Sequence, residues 1–156
     1  MKVLVLTISD RASSGVYEDR SGPAIERILM EQIPGVTVDR RIVPDERLDI
    51  TRAFEEAQSV DVILTTGGTG LSPRDITPEA TADYCDRMVP GIPEILRAQS
   101  WHETANAMLS RGTAGMKGTT LIVNIPGSVR AAESCTNLLA PVLSHAVNMA
   151  LGKNHD

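Results

Sequence analysis

Residues 65–75 read Thr-Thr-Gly-Gly-Thr-Gly-Leu-Ser-Pro-Arg-Asp. Glycine loses more conformational freedom on folding than any other residue, so such a run needs a reason. Successive backbone N–H groups in a Gly/Thr turn can form an anion-binding concavity, reinforced by the positive end of a following helix. Glycine lets the main chain approach a phosphate closely, and the hydroxyls of Thr66, Thr69 and Ser72 add donors. Asp75 follows Gly70 after four residues, and a second carboxylate, Asp45, stands in Val43-Pro-Asp-Glu46. Two carboxylates beside a phosphate cradle suit Mg²⁺, which takes few protein ligands and completes its shell with substrate phosphates and water. A tight turn for the glycines, and a helix cap or an ion pair for each aspartate, are the plain alternatives.

Neighbouring patterns do not compete. The glycine run is no Walker A loop, because no Lys-Ser/Thr follows it. Gly112-Thr-Ala-Gly-Met-Lys-Gly-Thr119 carries its lysine one position early with glycine next, and nothing matches G-x-G-x-x-G. His102, His145 and His155 are scattered, with no Ser-His-Asp set and no zinc-ligand spacing. They read as solvated or packing residues.

The elements that would position these residues alternate. Val3–Ile8 is a continuous apolar run of the kind buried on both faces of a sheet. Ser9–Gly15 reads as a loop of small polar residues. A helix follows from about Ser21, with Pro23 in its first turn and Ile25, Ile28, Leu29 and Ile33 on one face, and Pro34-Gly35 ends it. Val36–Val43 reads as a strand, the stripe Ile50, Ala53, Phe54, Ala57 as a helix, and Val60–Leu64 as a strand running into the glycine turn. Thr77 reads as the cap of a helix with Pro78 at its first position. Residues 88–118 are harder: a short helix reaches Trp101, and 105–117 is either a strand pair or a loop over the sheet. Thr120–Ile125 is a buried-type strand, and the last helices carry Ala132, Cys135, Leu138, Leu139, Val142, Leu143, Ala146, Val147 and Ala150.

Strands alternating with helices predict a single α/β domain over 1–156, a three-layer α/β/α sandwich around a mostly parallel sheet. Ligands of such sheets bind outside the carboxyl ends of the strands. All the unusual loops fall there: Ser9–Gly15, Pro44-Asp45, Thr66–Asp75 and Pro126–Ser128. From spacing alone the reading is a phosphate-handling α/β domain assisted by Mg²⁺.

Bulk properties narrow the class. The chain has 156 residues, 42% hydrophobic and 22% charged, which are globular values. Aromatics are only 3%, so the core must be aliphatic. A net charge of −5, with no basic cluster beyond Arg40-Arg41, argues against a nucleic-acid surface. No run reaches membrane-spanning length. Cys85 and Cys135, with no CxxC, read as reduced structural residues of a cytoplasmic protein.

Five segments, in order over nearly the whole chain, resemble the MogA/MoaB-type molybdopterin adenylyltransferases of molybdenum-cofactor biosynthesis. They are VLTISDRASSGVYEDRSG, IVPDE, ILTTGGTGLSPRDITPEAT, AMLSRGTAGMKGTTLIVNIPGS and LAPVLSHAVNMALG. The same domain occurs in fusion proteins of that pathway, gephyrin among them. The resemblance implies a MogA-like fold and an enzyme that transfers AMP from Mg-ATP to the terminal phosphate of molybdopterin, releasing pyrophosphate. It implies Asp45 and Asp75 as the essential aspartates, and so as the Mg²⁺ ligands. It places the substrate loops on Ser9, Asp10, on Thr66, Gly67, Gly68, Thr69, Gly70, and on Pro126, Gly127, Ser128, with Glu94 and Ser110 as weaker matches. It further implies a homotrimer, or a hexamer as in the MoaB branch, and a downstream molybdenum-insertion protein that takes the product. One departure stands out: where the family usually continues NIPGS with Pro and Lys, this chain has Val129-Arg130. Two other readings remain, a molybdopterin-binding or scaffold module with little activity and a flavodoxin-like or receiver domain. The glycine turn stands where a receiver would need an aspartate.

Overall fold

The computed structural model describes residues 1–57 and 59–153; His155 lies outside them. A six-stranded sheet has the order β2-β1-β3-β6-β5-β4. β1 (Lys2–Ile8), β2 (Thr37–Val43), β3 (Val62–Thr66) and β6 (Thr120–Ile125) are parallel; β5 (Ala114–Lys117) and β4 (Arg87–Met88) complete the far edge antiparallel to their neighbours.

The period of two along β1 sorts its side chains into two cores. Val3 and Val5 pack with Ile25 and Leu29 of α2 (Ser21–Gln32), Leu96 of α5 (Gly91–Trp101), and Cys135, Leu139, Leu143 and Val147 of α6 (Val129–Ala150). Leu4, Leu6 and Ile8 face the other way, onto Ile50, Ala53 and Phe54 of α3 (Arg47–Glu56) and Ala80 of α4 (Thr77–Tyr84). Both faces of the sheet are therefore covered, and the expected three-layer α/β/α sandwich is what the chain builds.

Several local readings change. Ser9–Gly15 is not all loop: Asp10–Ser13 forms a one-turn helix, α1, capped by Ser9, whose Oγ accepts the Ala12 N–H at 3.2 Å. β3 starts two residues later than expected and continues through Thr65 and Thr66, because β-branched threonines pair as readily in a ladder as valine does. Thr77 is not the cap of α4: Ile76 holds that position with no side-chain bond, and the Thr77 hydroxyl turns back to the glycine loop. The ambiguous stretch resolves into β4, α5, a 3₁₀ turn at Ala105–Leu109, and β5, which forms a hairpin with β6. The closing segment is one helix of 22 residues with Pro141 inside it. Proline removes one backbone bond there, but Leu139 and Ala140 before it and Leu143 and Val147 after it are buried against the same core, and that burial carries the helix through. Cys85 and Cys135 are unpaired thiols, and burial pushes the Cys85 pKa up to about 11.

Candidate active site

The parallel registers align the strand ends. Ile8 pairs with Val43, Thr7 with Thr66, and Thr66 with Ile125, so the chain leaves four adjacent strands at one level. The loops that follow surround a cavity of about 530 Å³. Ser9, Asp45, Thr66, Gly67, Gly68, Asp75, Gly127 and Ser128 line it, joined by Tyr17, Asp19, Arg20 and Val129.

The glycines are there because nothing else fits. Gly67 has φ 103° and Gly68 φ 63°, in the left-handed region that side chains avoid. A Cβ on Gly67 would overlap the Ile8 carbonyl oxygen; one on Gly68 would overlap the Thr77 hydroxyl and lie 3.0 Å from Asp45 Oδ1. The loop is pinned from three sides. The Gly67 N–H donates to Ile125 O at 3.1 Å, the Thr77 hydroxyl to Gly67 O at 3.0 Å, and the Thr77 N–H to Gly68 O at 3.1 Å. The Thr66 hydroxyl, expected to serve as a ligand donor, instead donates to Pro126 O at 3.0 Å and ties two strand-end loops together. Among the described residues the N–H groups of Gly68, Thr69 and Gly70 find no acceptor. These three amides, not that of Gly67, are what the turn has to offer an anion.

The carboxylates are held by main-chain amides. Asp45 Oδ2 accepts the Asp10 N–H at 2.9 Å, and Asp10 Oδ1 accepts the Asp45 N–H at 3.0 Å. Asp75 Oδ2 accepts the Ser72 N–H at 2.9 Å, and a Cβ on Gly70 would come within 2.8 Å of it. Asp45 holds its proton more tightly than an ordinary carboxyl group. Burial is the main cause, and the negative charges of Asp10 and Asp75 add to it. Asp10 runs the other way, held below the usual carboxylate range chiefly by its hydrogen bonds from Arg74.

Not every expected residue meets the cavity. Asp10 lies outside it, exposed, with its carboxylate turned to Arg74. Thr69, Gly70 and Pro126 line a second, adjoining cavity of about 470 Å³ together with Leu71, Thr104 and Ser110; Ser128 lines both. Glu94 is exposed on the first turn of α5 and lines neither. Val129 opens α6 after its cap Ser128, a first-turn position where a proline would also fit. Arg130 turns away to pair with Glu103.

Sequence reasoning passed over Asp19. It lines the first cavity and accepts from the Thr7 hydroxyl at 2.8 Å, the Ser21 hydroxyl at 3.1 Å and the Gly22 N–H at 3.0 Å. Its place three residues ahead of Gly22, at a helix start, was the available signal. Arg111 was passed over too. Its guanidinium reaches Gly70 O at 2.7 Å, Asp75 O and Glu79, and so clamps the end of the glycine run to the Asp75 turn and the start of α4.

Three aspartates, Asp19, Asp45 and Asp75, and one arginine, Arg20, line the first cavity. A cavity with acids in excess and the Gly68 amide on its wall suits an anion that arrives with a cation. The donor chemistry fits a hard divalent ion: the charge of Asp75 adds to the cost of ionising Asp45, and each keeps an oxygen clear of the amide bond that orients it.

Residues 4–145 match the protein family described as "Probable molybdopterin binding domain". The chain is 42% identical to the molybdopterin adenylyltransferase of Helicobacter pylori strain J99 over 153 residues, which is 95% of this chain and 86% of that protein. It is 40% identical to the Escherichia coli K12 protein of the same name over 131 residues, 81% of this chain and 67% of that one. Among solved structures, the molybdopterin biosynthesis enzyme MoaB from Thermus thermophilus superposes with a TM-score of 0.89 at 40% identity, covering 99% of both chains. A MogA structure superposes at 0.90 with 36% identity, covering 96% of this chain and 99% of the other.

Proposed function

The chain belongs to the family of probable molybdopterin-binding domains, and from that membership we propose that it is a molybdopterin adenylyltransferase of molybdenum-cofactor biosynthesis. An oxygen of the molybdopterin phosphate attacks the α-phosphorus of ATP. A new P–O–P bond forms, the bond between the α-phosphorus and its bridging oxygen breaks, and pyrophosphate leaves. The observation that carries this reading is the convergence of four strand-end loops on one cavity, lined by Gly67 and Gly68 together with Asp45 and Asp75, with Thr69 and Gly70 continuing the glycine turn into the adjoining cavity. Relatives at about 40% identity that carry the same name support it.

Phosphoryl transfer of this kind is mostly positioning and neutralisation of spreading charge. The chain supplies the positioning. The Gly68 amide would meet a phosphate in the first cavity, and those of Thr69 and Gly70 one in the second. Gly67 and Gly127 let the main chain come close, Gly127 lying within 3.1 Å of Gly67 Cα at its Cβ position. Ser128, on the rim of both cavities, stands where two reactants would meet. Asp45 and Asp75 would hold Mg²⁺ on the triphosphate, and that ion would neutralise charge that the acid-rich lining cannot. The same reading expects trimers, supported by the apolar Leu138, Val142 and Met149 exposed along α6. It expects work in the cytoplasm and a molybdenum-insertion protein as recipient of the product.

Purified protein given ATP, Mg²⁺ and molybdopterin should release pyrophosphate. Asp75→Ala should cut turnover by about 100-fold or more with little loss of molybdopterin binding, as for a residue acting mainly in the transition state. Absence of pyrophosphate release from the unsubstituted protein at saturating substrates overturns the reading.

A further inference from the structure

Arg74 lies between the glycine run and Asp75, yet it does not line the cavity. Its guanidinium reaches across to two other loops. Nε donates to Asp10 Oδ2 at 3.2 Å, and Nη2 donates to Asp10 Oδ2 at 2.8 Å and Oδ1 at 3.1 Å. Nη1 pairs with Glu46 Oε1 at 2.9 Å. Asp10 follows β1, Glu46 follows β2, and Arg74 follows β3, so one side chain bridges the ends of three adjacent strands. The bridge continues into the site: the Asp10 carboxylate that receives Arg74 also receives the Asp45 N–H, and Asp45 returns the bond to the Asp10 N–H. Arg74 and Glu46 are chain neighbours of Asp75 and Asp45 respectively.

We propose that Arg74, acting through Asp10, is a positioning residue that fixes the separation of the Asp45 and Asp75 loops for catalysis; its catalytic consequence rests on the adenylylation reading above. Magnitudes separate this role from a stabilising one. The Arg74 side chain is 55% exposed, and its partners Asp10 and Glu46 are 46% and 55% exposed. Exposed ion pairs contribute little to folding stability. A planar fork that engages both oxygens of one carboxylate fixes direction as well as distance, which lysine cannot do. A misplacement of about 1 Å at a reacting centre can cost on the order of 100-fold in rate. The pair is thus poorly suited to hold the fold and well suited to hold a geometry. It also accounts for Asp10, whose carboxylate serves Arg74 and Asp45 instead of the cavity.

The test uses the full chain and three variants: Arg74→Gln, Arg74→Lys, and Arg41→Gln as a control that removes another exposed ion pair, the one with Glu56. Hydrogen exchange by mass spectrometry reads the loops without reference to activity. In Arg74→Gln, peptides covering 9–14 and 43–48 should exchange roughly tenfold faster, with α2 and α6 unchanged. Pyrophosphate release should show kcat down by about tenfold or more and the KM for ATP changed less than about twofold. Arg74→Lys should recover only part of both, and Arg41→Gln should match wild type. Unchanged exchange at 9–14 and 43–48 overturns the proposal whatever the activity, and so does full recovery by lysine. Faster exchange with an unchanged kcat removes the catalytic role. A wild-type protein that releases no pyrophosphate overturns the adenylylation reading instead, and the bridge then stands or falls on the exchange data.

Discussion

Asp45 carries a charge that works against the fold. Its folded pKa lies above the ordinary carboxyl value, mainly through burial. Between the ordinary and the raised value the folded state therefore binds more protons than the unfolded state, and stability falls as pH rises through that window. At neutral pH the charged form carries this penalty in full. Asp45→Asn keeps an oxygen for the Asp10 N–H and removes the charge. It should melt at or above the wild-type temperature at pH 7, with the difference vanishing as pH falls below the ordinary carboxyl value, while turnover drops by about 100-fold. Calorimetric scans at several pH values beside the pyrophosphate assay check both halves; a lower Tm at pH 7 contradicts the electrostatic account. Both aspartates were legible in the sequence because each follows a punctuated strand end. Asp19 and the Arg74–Asp10 fork were not. Which charges face each other across 64 positions of chain depends on loop conformation, and no periodicity encodes that.

At the level of elements, the buried polar side chain of Asn124 is the joint between the sheet and the site. Nδ2 donates to Thr65 Oγ1 at 3.0 Å and to Thr81 Oγ1 at 2.9 Å, and Oδ1 accepts the Thr113 N–H at 3.1 Å. β6, β3, α4 and the segment leading into β5 are thus joined at one point, with Asn124 only 2% exposed. Asn124→Leu leaves the Thr113 amide and two buried hydroxyls without that partner, at a cost of roughly 2–4 kcal/mol. Urea unfolding should show the midpoint fall with the slope unchanged; a loss under about 0.5 kcal/mol refutes the joint. The sequence displayed Asn124 inside an apolar run without revealing its partners. It displayed the strands and amphipathic helices well, because period and burial go together there. It misplaced the end of β3 and divided α6, since threonine and proline are read as punctuation unless packing overrides them, and here packing does.

For the molecule as a whole, the two-sided core governs the thiols. Half-burial beside the sheet pushes the Cys85 thiol up to about 11, and fuller burial also raises the pKa of Cys135. Only thiolate reacts with disulfide reagents at a useful rate. At pH 7.5 both native thiols should react with Ellman's reagent at least about tenfold more slowly than in urea. A fast native phase would contradict the described burial. The topology itself was the most legible property, since alternating strands and helices leave few arrangements; the antiparallel edge was the exception, hidden by the short β4. That edge has a consequence for how such a protein diversifies. Because β5 runs against β6, the chain enters the sheet at the rim instead of leaving it, and residues 104–110 form a wall of the second cavity that is tied to β6 only after it, at Thr113. Recolouring the Thr104–Leu109 stretch of that wall would retune what the neighbouring hollow accepts, as long as Arg111 and Thr113 keep their bonds to Thr69, Gly70 and Asn124.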